Sequence, residues 1–167
     1  MKTPSHTPSI DADIVNAFAT STVKVLRMMT HCDAELLDVS ARRDFVPVGD
    51  ISSLMMVLDS TLEGMIVLTF PQTLARKLAS SMLGAHTQTV SVEMRLDFTA
   101  ELVNMIVGHA KSYLNNKSSD PYRMTLPIII TGIGHEIHGR LSSNASLVFV
   151  FKVHGQTFSM QISFTNY

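Results

Sequence analysis

The sequence predicts an α+β fold in which a mostly antiparallel sheet of about six strands packs against three helices. Segments with helical periodicity and segments with strand-like composition follow one another as helix, three strands, two helices and three strands. This order lacks the regular alternation of strand and helix that is typical of a parallel sheet. The chain has 167 residues, 46% of them hydrophobic and 16% charged, which suffices for one core. We therefore expect a single domain over residues 11–167, preceded by a flexible tail over 1–10.

The first half of the chain carries signals for two helices and three strands. Ser9 can cap a first helix, and Asp13 in its opening turn suits the positive end of the helix dipole. Segments of strand-like composition follow over 34–46, 53–58 and 64–70. Pro71 and Gly84 suit the first turn and the C-terminal cap of a second helix over 72–83.

The second half begins with a long third helix over 92–116 and then returns to strands. One strand is expected over 124–131, and residues 147–153 and 156–164 should form a hairpin around His154-Gly155. The last strand alternates apolar and polar residues, which predicts one buried face and one wet face. If this hairpin is exposed at the end of the sheet, its edge invites pairing with a second copy of the chain.

Composition excludes several classes of protein. The formal net charge of −1 and the absence of a basic run argue against a nucleic-acid surface. No segment approaches 18 uninterrupted apolar residues and the N-terminus is polar, so neither a membrane span nor a secretory signal is expected. Cys32 is the single cysteine, which fits a reducing cytoplasm, and it is expected to be a small buried hydrophobe.

The third helix carries the most informative pattern in the chain. Its narrow apolar face, which we expect to be buried, consists of Val92, Leu96, Ala100, Val103, Val107, Ala110 and Leu114. On the opposite half, Asp97, Glu101, Asn104, Gly108 and Lys111 are neighbours at spacings of three or four residues. A glycine within a helix costs about 1 kcal/mol relative to alanine. Its presence suggests that another molecule comes close to the helix there.

An apolar flank lies beside this polar stripe. Met94, Phe98 and Met105 also point away from the expected buried face. Another part of the same chain could cover them, because Leu102 and Ile106 extend the apolar arc on one side. Glutamate and asparagine on an exposed helix face are usually only solvated surface, so spacing alone does not establish a site.

The same helix carries a family resemblance. Residues 100–111, A-E-L-V-N-M-I-V-G-H-A-K, resemble the E-L-x-N-M-I-x-G-x-A-K helix of the bacterial chemotaxis phosphatases CheC, CheX and FliY. Residues 64–83 and 126–137 are similar to the CheX segments before and after that helix. The resemblance extends over about 11–164 and implies a CheC-like fold, closest to the CheX branch. It also implies a homodimer formed through sheet edges.

Members of this family remove the phosphoryl group from the aspartyl phosphate of the response regulator CheY. The resemblance implies that Asn104 enters the active site of the regulator and positions the attacking water, while Glu101 pairs with the regulator's active-site lysine. The Mg²⁺ ion would belong to the regulator, so no intrinsic cofactor or metal is expected in this chain. The implied docking residues are Asp97, Met94, Phe98, Met105, Gly108 and Lys111. The alternative function is a receiver-domain-binding adaptor of the same fold without catalysis.

The remaining candidate residues have simpler structural explanations or need a further condition. CheC-type relatives carry two Glu-x-x-Asn helices, whereas the first helix here has only Asp13 and Asn16, which we interpret as a helix start favourable to the dipole. His135 and His138 flank Glu136 in an apparent turn, without the spacing or the third ligand of a zinc hydrolase. His109 could act as a base only if its own helix face met the substrate.

Overall fold

A computed structural model describes residues 12–43, 45–58, 62–115, 123–137 and 146–166. Its helices are α1 (Ala12–Thr30), α2 (Gln72–Leu83) and α3 (Val92–Asn115), with a short 3₁₀ turn at Thr87–Thr89. Its strands are β1 (Glu35–Arg42), β2 (Val48–Leu58), β3 (Leu62–Phe70), β4 (Arg123–Met124), β5 (Ile128–Glu136), β6 (Ser146–Val153) and β7 (Gln156–Asn166). The predicted α+β class is confirmed, with seven strands instead of about six. The tail and the Ser9 cap lie outside the described residues.

The sheet is antiparallel throughout its described pairs and runs in the order β1-β6-β7-β3-β2, with β4 and β5 both paired to the far side of β2. The β6–β7 hairpin closes through His154 and Gly155, whose φ angles of 50° and 73° fit the two central positions of a tight hairpin turn. This hairpin lies inside the sheet, so the expectation of an exposed final hairpin is wrong. Among the described strands, β1 and β5 form the two long edges.

The strand expected at 124–131 proves to be two elements, and the expected turn after it belongs to the sheet. β5 continues through Gly132 and Gly134 to Glu136, with an irregularity in its pairing between Gly49 and Ile51 of β2. Gly134 has a φ of 62°, a conformation that glycine adopts without strain. The glycines therefore mark a bulge inside an edge strand.

One face of the sheet carries the helices and the main core. Stacked phenylalanines form its centre, with ring centroids 4.7 Å apart for Phe70 and Phe158 and 5.1 Å apart for Phe151 and Phe158. α1 and α3 pack side by side over this layer and share its core cluster. The opposite face of β7 is polar as expected and is exposed at Thr157, whereas Gln161 and Ser163 further along it are buried. Gln161 Nε2 donates to Ser146 Oγ at 3.0 Å within a buried cluster.

The bounds of α2 agree with the sequence prediction, and its C-terminus ends as expected. Gly84 adopts a left-handed conformation (φ 59°, ψ 27°), and backbone bonds to the carbonyls of Ser80 and Ser81 close the last turn. At the other end, the backbone N–H of Gln72 donates to Asp50 Oδ2 at 2.8 Å. This contact ties the start of α2 to β2.

Candidate functional site

α3 buries a wider arc than the sequence pattern suggested. Phe98, Leu102 and Ile106 are completely buried, whereas Val92 at the start of the expected buried face is 52% exposed. The expected face lies partly at the margin of the real one, because α3 packs against both the sheet and α1. The interpretation of Phe98 as a docking residue is therefore wrong. Its ring packs inside its own chain.

The polar stripe does lie on the outside of α3. Asp97, Glu101 and Asn104 are exposed, on successive turns of the helix. Met94 is 44% exposed and supplies an apolar margin beside them. Met105 and Lys111 are half-buried, so they lie at the rim of this surface. We call Met94, Asp97, Glu101, Asn104 and Gly108 the α3 stripe.

Gly108 has no packing reason for being a glycine within the described part of the chain. A Cβ atom built at this position would meet no atom within 4 Å. The backbone carbonyl of Gly108 accepts a hydrogen bond from Ser112 Oγ at 3.1 Å, a contact that any residue at 108 could make. The open space above Gly108 is therefore available to another molecule one turn beyond Asn104.

Negative charge is concentrated in the first half of the stripe. Asp97 and Glu101 follow Glu93 at intervals of four residues, an arrangement in which like charges repel weakly. Contacts with its own backbone N–H and with Ser91 hold the pKa of Glu93 below its ordinary value. The ion pairs Arg27–Asp33 and Arg42–Asp38 do not involve these carboxylates.

The other sequence candidates lie apart from this stripe. His135 Nε2 is 2.8 Å from Ser52 Oγ and its Nδ1 is 2.8 Å from the Gly132 carbonyl, so this ring pins β5 to β2. His138 lies outside the described residues. Cys32 is buried, as predicted, with its Sγ 3.0 Å from His154 Nε2. Within the described ranges, no three His, Cys, Asp or Glu side chains are grouped to hold a metal ion.

Asp13 and Asn16 occupy the outer side of α1 rather than the α3 stripe. Both line a cleft whose far wall is formed by Tyr113 and Leu114, at the opposite end of α3 from Asp97. His109 is half-buried on α3. The structure therefore brings Glu101 and Asn104 together on one open surface. Asp13 and Asn16 of α1 lie apart from them, near the opposite end of α3.

Comparisons with known proteins find similarity to chemotaxis proteins of the CheC and CheX type. The family model "Chemotaxis phosphatase CheX" matches residues 52–152. A CheC-like superfamily protein from Shewanella sp. PV-4 is 27% identical, with a TM-score of 0.84 over 93% of this chain and 99% of that one. The chemotaxis protein CheX from Vibrio vulnificus is 25% identical, with a TM-score of 0.82 over 92% and 100%.

A third solved structure contains a partner. It is the CheX–CheY–BeF₃–Mg²⁺ complex from Borrelia burgdorferi, 20% identical with a TM-score of 0.72 over 92% of this chain and 99% of that chain, a likeness of fold alone. No curated protein sequence matches this chain. Among the described helices, none is long and apolar enough to cross a membrane.

Proposed function

Because this chain belongs to the chemotaxis phosphatase CheX family, we propose that it hydrolyses the aspartyl phosphate of CheY or a CheY-like receiver domain. The observation that carries the proposal is the exposure of the Asn104 carboxamide, one turn from the exposed Glu101 carboxylate and one turn from the open surface at Gly108. All three groups can meet one partner without any rearrangement of α3.

The carboxamide of Asn104 suits the placement of a water molecule. An amide both donates and accepts hydrogen bonds, so it can hold a water in line with phosphorus while it remains neutral. Phosphoryl transfer depends mainly on positioning and on the neutralisation of charge, and it needs little covalent help from protein groups. We assign Asn104 this positioning role and propose that the receiver domain binds the Mg²⁺ ion.

Glu101 and its neighbours would hold the partner in place. A carboxylate on the outside of α3 can pair with the active-site lysine of a receiver domain, and Asp97 extends the negative surface toward it. Met94 supplies the exposed apolar contact, with Met105 and Lys111 at the rim. Gly108 lets the partner's backbone approach the helix.

We also propose a cytoplasmic homodimer that pairs through the β5 edge. Leu126, just before β5, and Ile128, its first residue, are exposed, and Ile133 is 93% exposed, with no charged residue from 126 to 134. β1, the other edge, carries the charged pair Arg42–Asp38, and charged side chains on an edge strand discourage strand addition. An uncharged edge can pair with its own copy without repulsion.

The decay of a radiolabelled phosphoryl-regulator, with and without this protein, tests the phosphatase proposal. The wild-type chain should accelerate the decay, and Asn104→Ala should lower the rate by roughly 100-fold, the scale of losing one well-placed polar group. Gln88→Ala removes an exposed amide on the 3₁₀ turn and serves as the matched control. If the wild-type chain binds the phosphorylated regulator without accelerating its decay, the adaptor function replaces the phosphatase.

A further inference from the structure

We infer that α1 supplies the second half of the receiver-docking surface, with Lys24 and Met28 in direct contact with the partner. This inference rests on the proposed function, because it extends the α3 stripe across the neighbouring helix. Lys24 is exposed and Met28 is 52% exposed on α1.

The direction of the two helices places these residues at the level of the stripe. Asp13 and Ala17, near the start of α1, line a cleft with Leu114, near the end of α3, so the helices run antiparallel. From Leu114 back to Asn104 is ten residues, about 15 Å along the axis at 1.5 Å per residue. Ten residues from Ala17 along α1 lead to Arg27, which therefore lies at the level of Asn104. Lys24 and Met28 lie within one turn of Arg27.

The size of a protein partner brings α1 within its reach. A stable complex buries roughly 800 Å² per partner, a patch about 30 Å across. A helix with its side chains is only about 10–12 Å wide, and the axes of packed helices lie about 8–10 Å apart. A receiver domain centred on Asn104 therefore extends over the outer face of α1.

The chemistry of α1 complements that of the stripe. Lys24 has no ion-pair partner in the described ranges, whereas the nearby Arg27 is paired with Asp33 at 3.5 Å. A free ammonium group beside the site can meet the negative charge that an aspartyl phosphate brings. Asp97 and Glu101 on α3 would meet positive groups instead. The two helices therefore present charges of opposite sign to the partner. Met28 adds an adaptable apolar contact.

Steady-state dephosphorylation and binding of the phosphorylated regulator test this inference on the full chain. Lys24→Glu should raise KM about tenfold with kcat unchanged, since a rim charge acts mainly on association. Lys24→Ala should weaken the dependence of KM on salt, a readout that a purely structural role would not move. Met28→Ala should raise KM several-fold, roughly the loss of one apolar contact.

The controls are exposed residues of the same chemistry on β6 and β1, at the opposite side of the sheet from β2, on which α3 packs. Lys152→Glu reverses a charge on β6, and Leu37→Ala removes an apolar side chain that is 47% exposed on β1. If the Lys24 and Met28 variants match these controls while the wild-type chain binds and dephosphorylates the regulator, the inference is overturned and the phosphatase proposal survives. If the wild-type chain neither binds nor dephosphorylates the regulator, both are overturned.

Discussion

Gly108 lies one helical turn beyond Asn104 on α3, and the space above it would accept a methyl group without a contact in the described part of the chain. A Cβ atom there meets no atom within 4 Å. The helix therefore gives up stability at this position for no internal benefit, since glycine costs about 1 kcal/mol against alanine within a helix. The proposed close approach of a partner to the backbone would account for that cost.

Gly108→Ala should separate stability from docking. We expect the free energy of unfolding to rise by about 0.5–1 kcal/mol, because alanine restricts the unfolded chain and fits the helix. The added methyl group should hold the receiver domain away from Asn104 and lower kcat/KM. Urea unfolding and regulator dephosphorylation measure the two effects.

Gly84→Ala provides the contrast for this experiment. Gly84 has a φ of 59° at the end of α2, so alanine should destabilise the fold there by about 1 kcal/mol while docking is unchanged. A Gly108→Ala variant that is both more stable and fully active would remove the reason for placing a partner above this residue.

Some features of α3 and α2 followed from residue types alone, because local signals decided them. Pro71 and Gly84 bracket α2 at the observed bounds, and the polar spacing of Glu101 and Asn104 predicted their exposed positions. The burial of Phe98 did not follow, since a helix with a wide apolar arc can face its neighbours at several rotations. Only the packing of α3 against the sheet and α1 decides between them.

The β5 edge shows a second limit of sequence patterns. Gly132 and Gly134 suggested a turn, but the partner strand keeps this segment in the sheet. Asp50 of β2 accepts a bond from the N–H of Gly134 at 3.2 Å, and Ser52 contacts the ring of His135. These contacts join residues more than 80 positions apart, and no local signal predicts them.

Asn104→Asp should test whether neutrality of the amide matters. The carboxylate of the variant has nearly the same size as the amide, but its negative charge repels the phosphoryl group. It also cannot donate a hydrogen bond. We expect a loss of kcat/KM at least as large as for Asn104→Ala, roughly 100-fold or more. Single-turnover decay of the phosphorylated regulator measures it, and an Asn104→Asp variant that retained the wild-type rate would show that a neutral amide is not required at this position.

Asp50 should contribute a pH-dependent part of the fold's stability. Hydrogen bonds from the backbone N–H groups of Gln72 and then Gly134 lower the pKa of Asp50 from its ordinary value of 3.8. A lowered pKa in the folded state means that the contribution is complete above pH 3.8 and is lost as the pH falls through the folded value.

Urea unfolding at neutral pH and at acidic pH measures this contribution. Asp50→Asn should destabilise the protein at neutral pH, and the difference from the wild type should shrink as acid protonates the carboxylate. A difference that stays constant through the acidic range would mean that the charge of Asp50 is not responsible for the contact between β2, α2 and β5.

Substitutions on β5 should decide whether this edge joins two copies of the chain. Ile133 is 93% exposed, so Ile133→Lys leaves the core intact while it places like charges opposite each other in a self-paired edge. We expect light scattering to give a dimer for the wild type and a monomer for Ile133→Lys. Leu36→Lys on the exposed β1 edge is the matched control and should remain dimeric. A monomer from Leu36→Lys together with a dimer from Ile133→Lys would move the interface to β1, since only the edge that pairs is sensitive to an added charge.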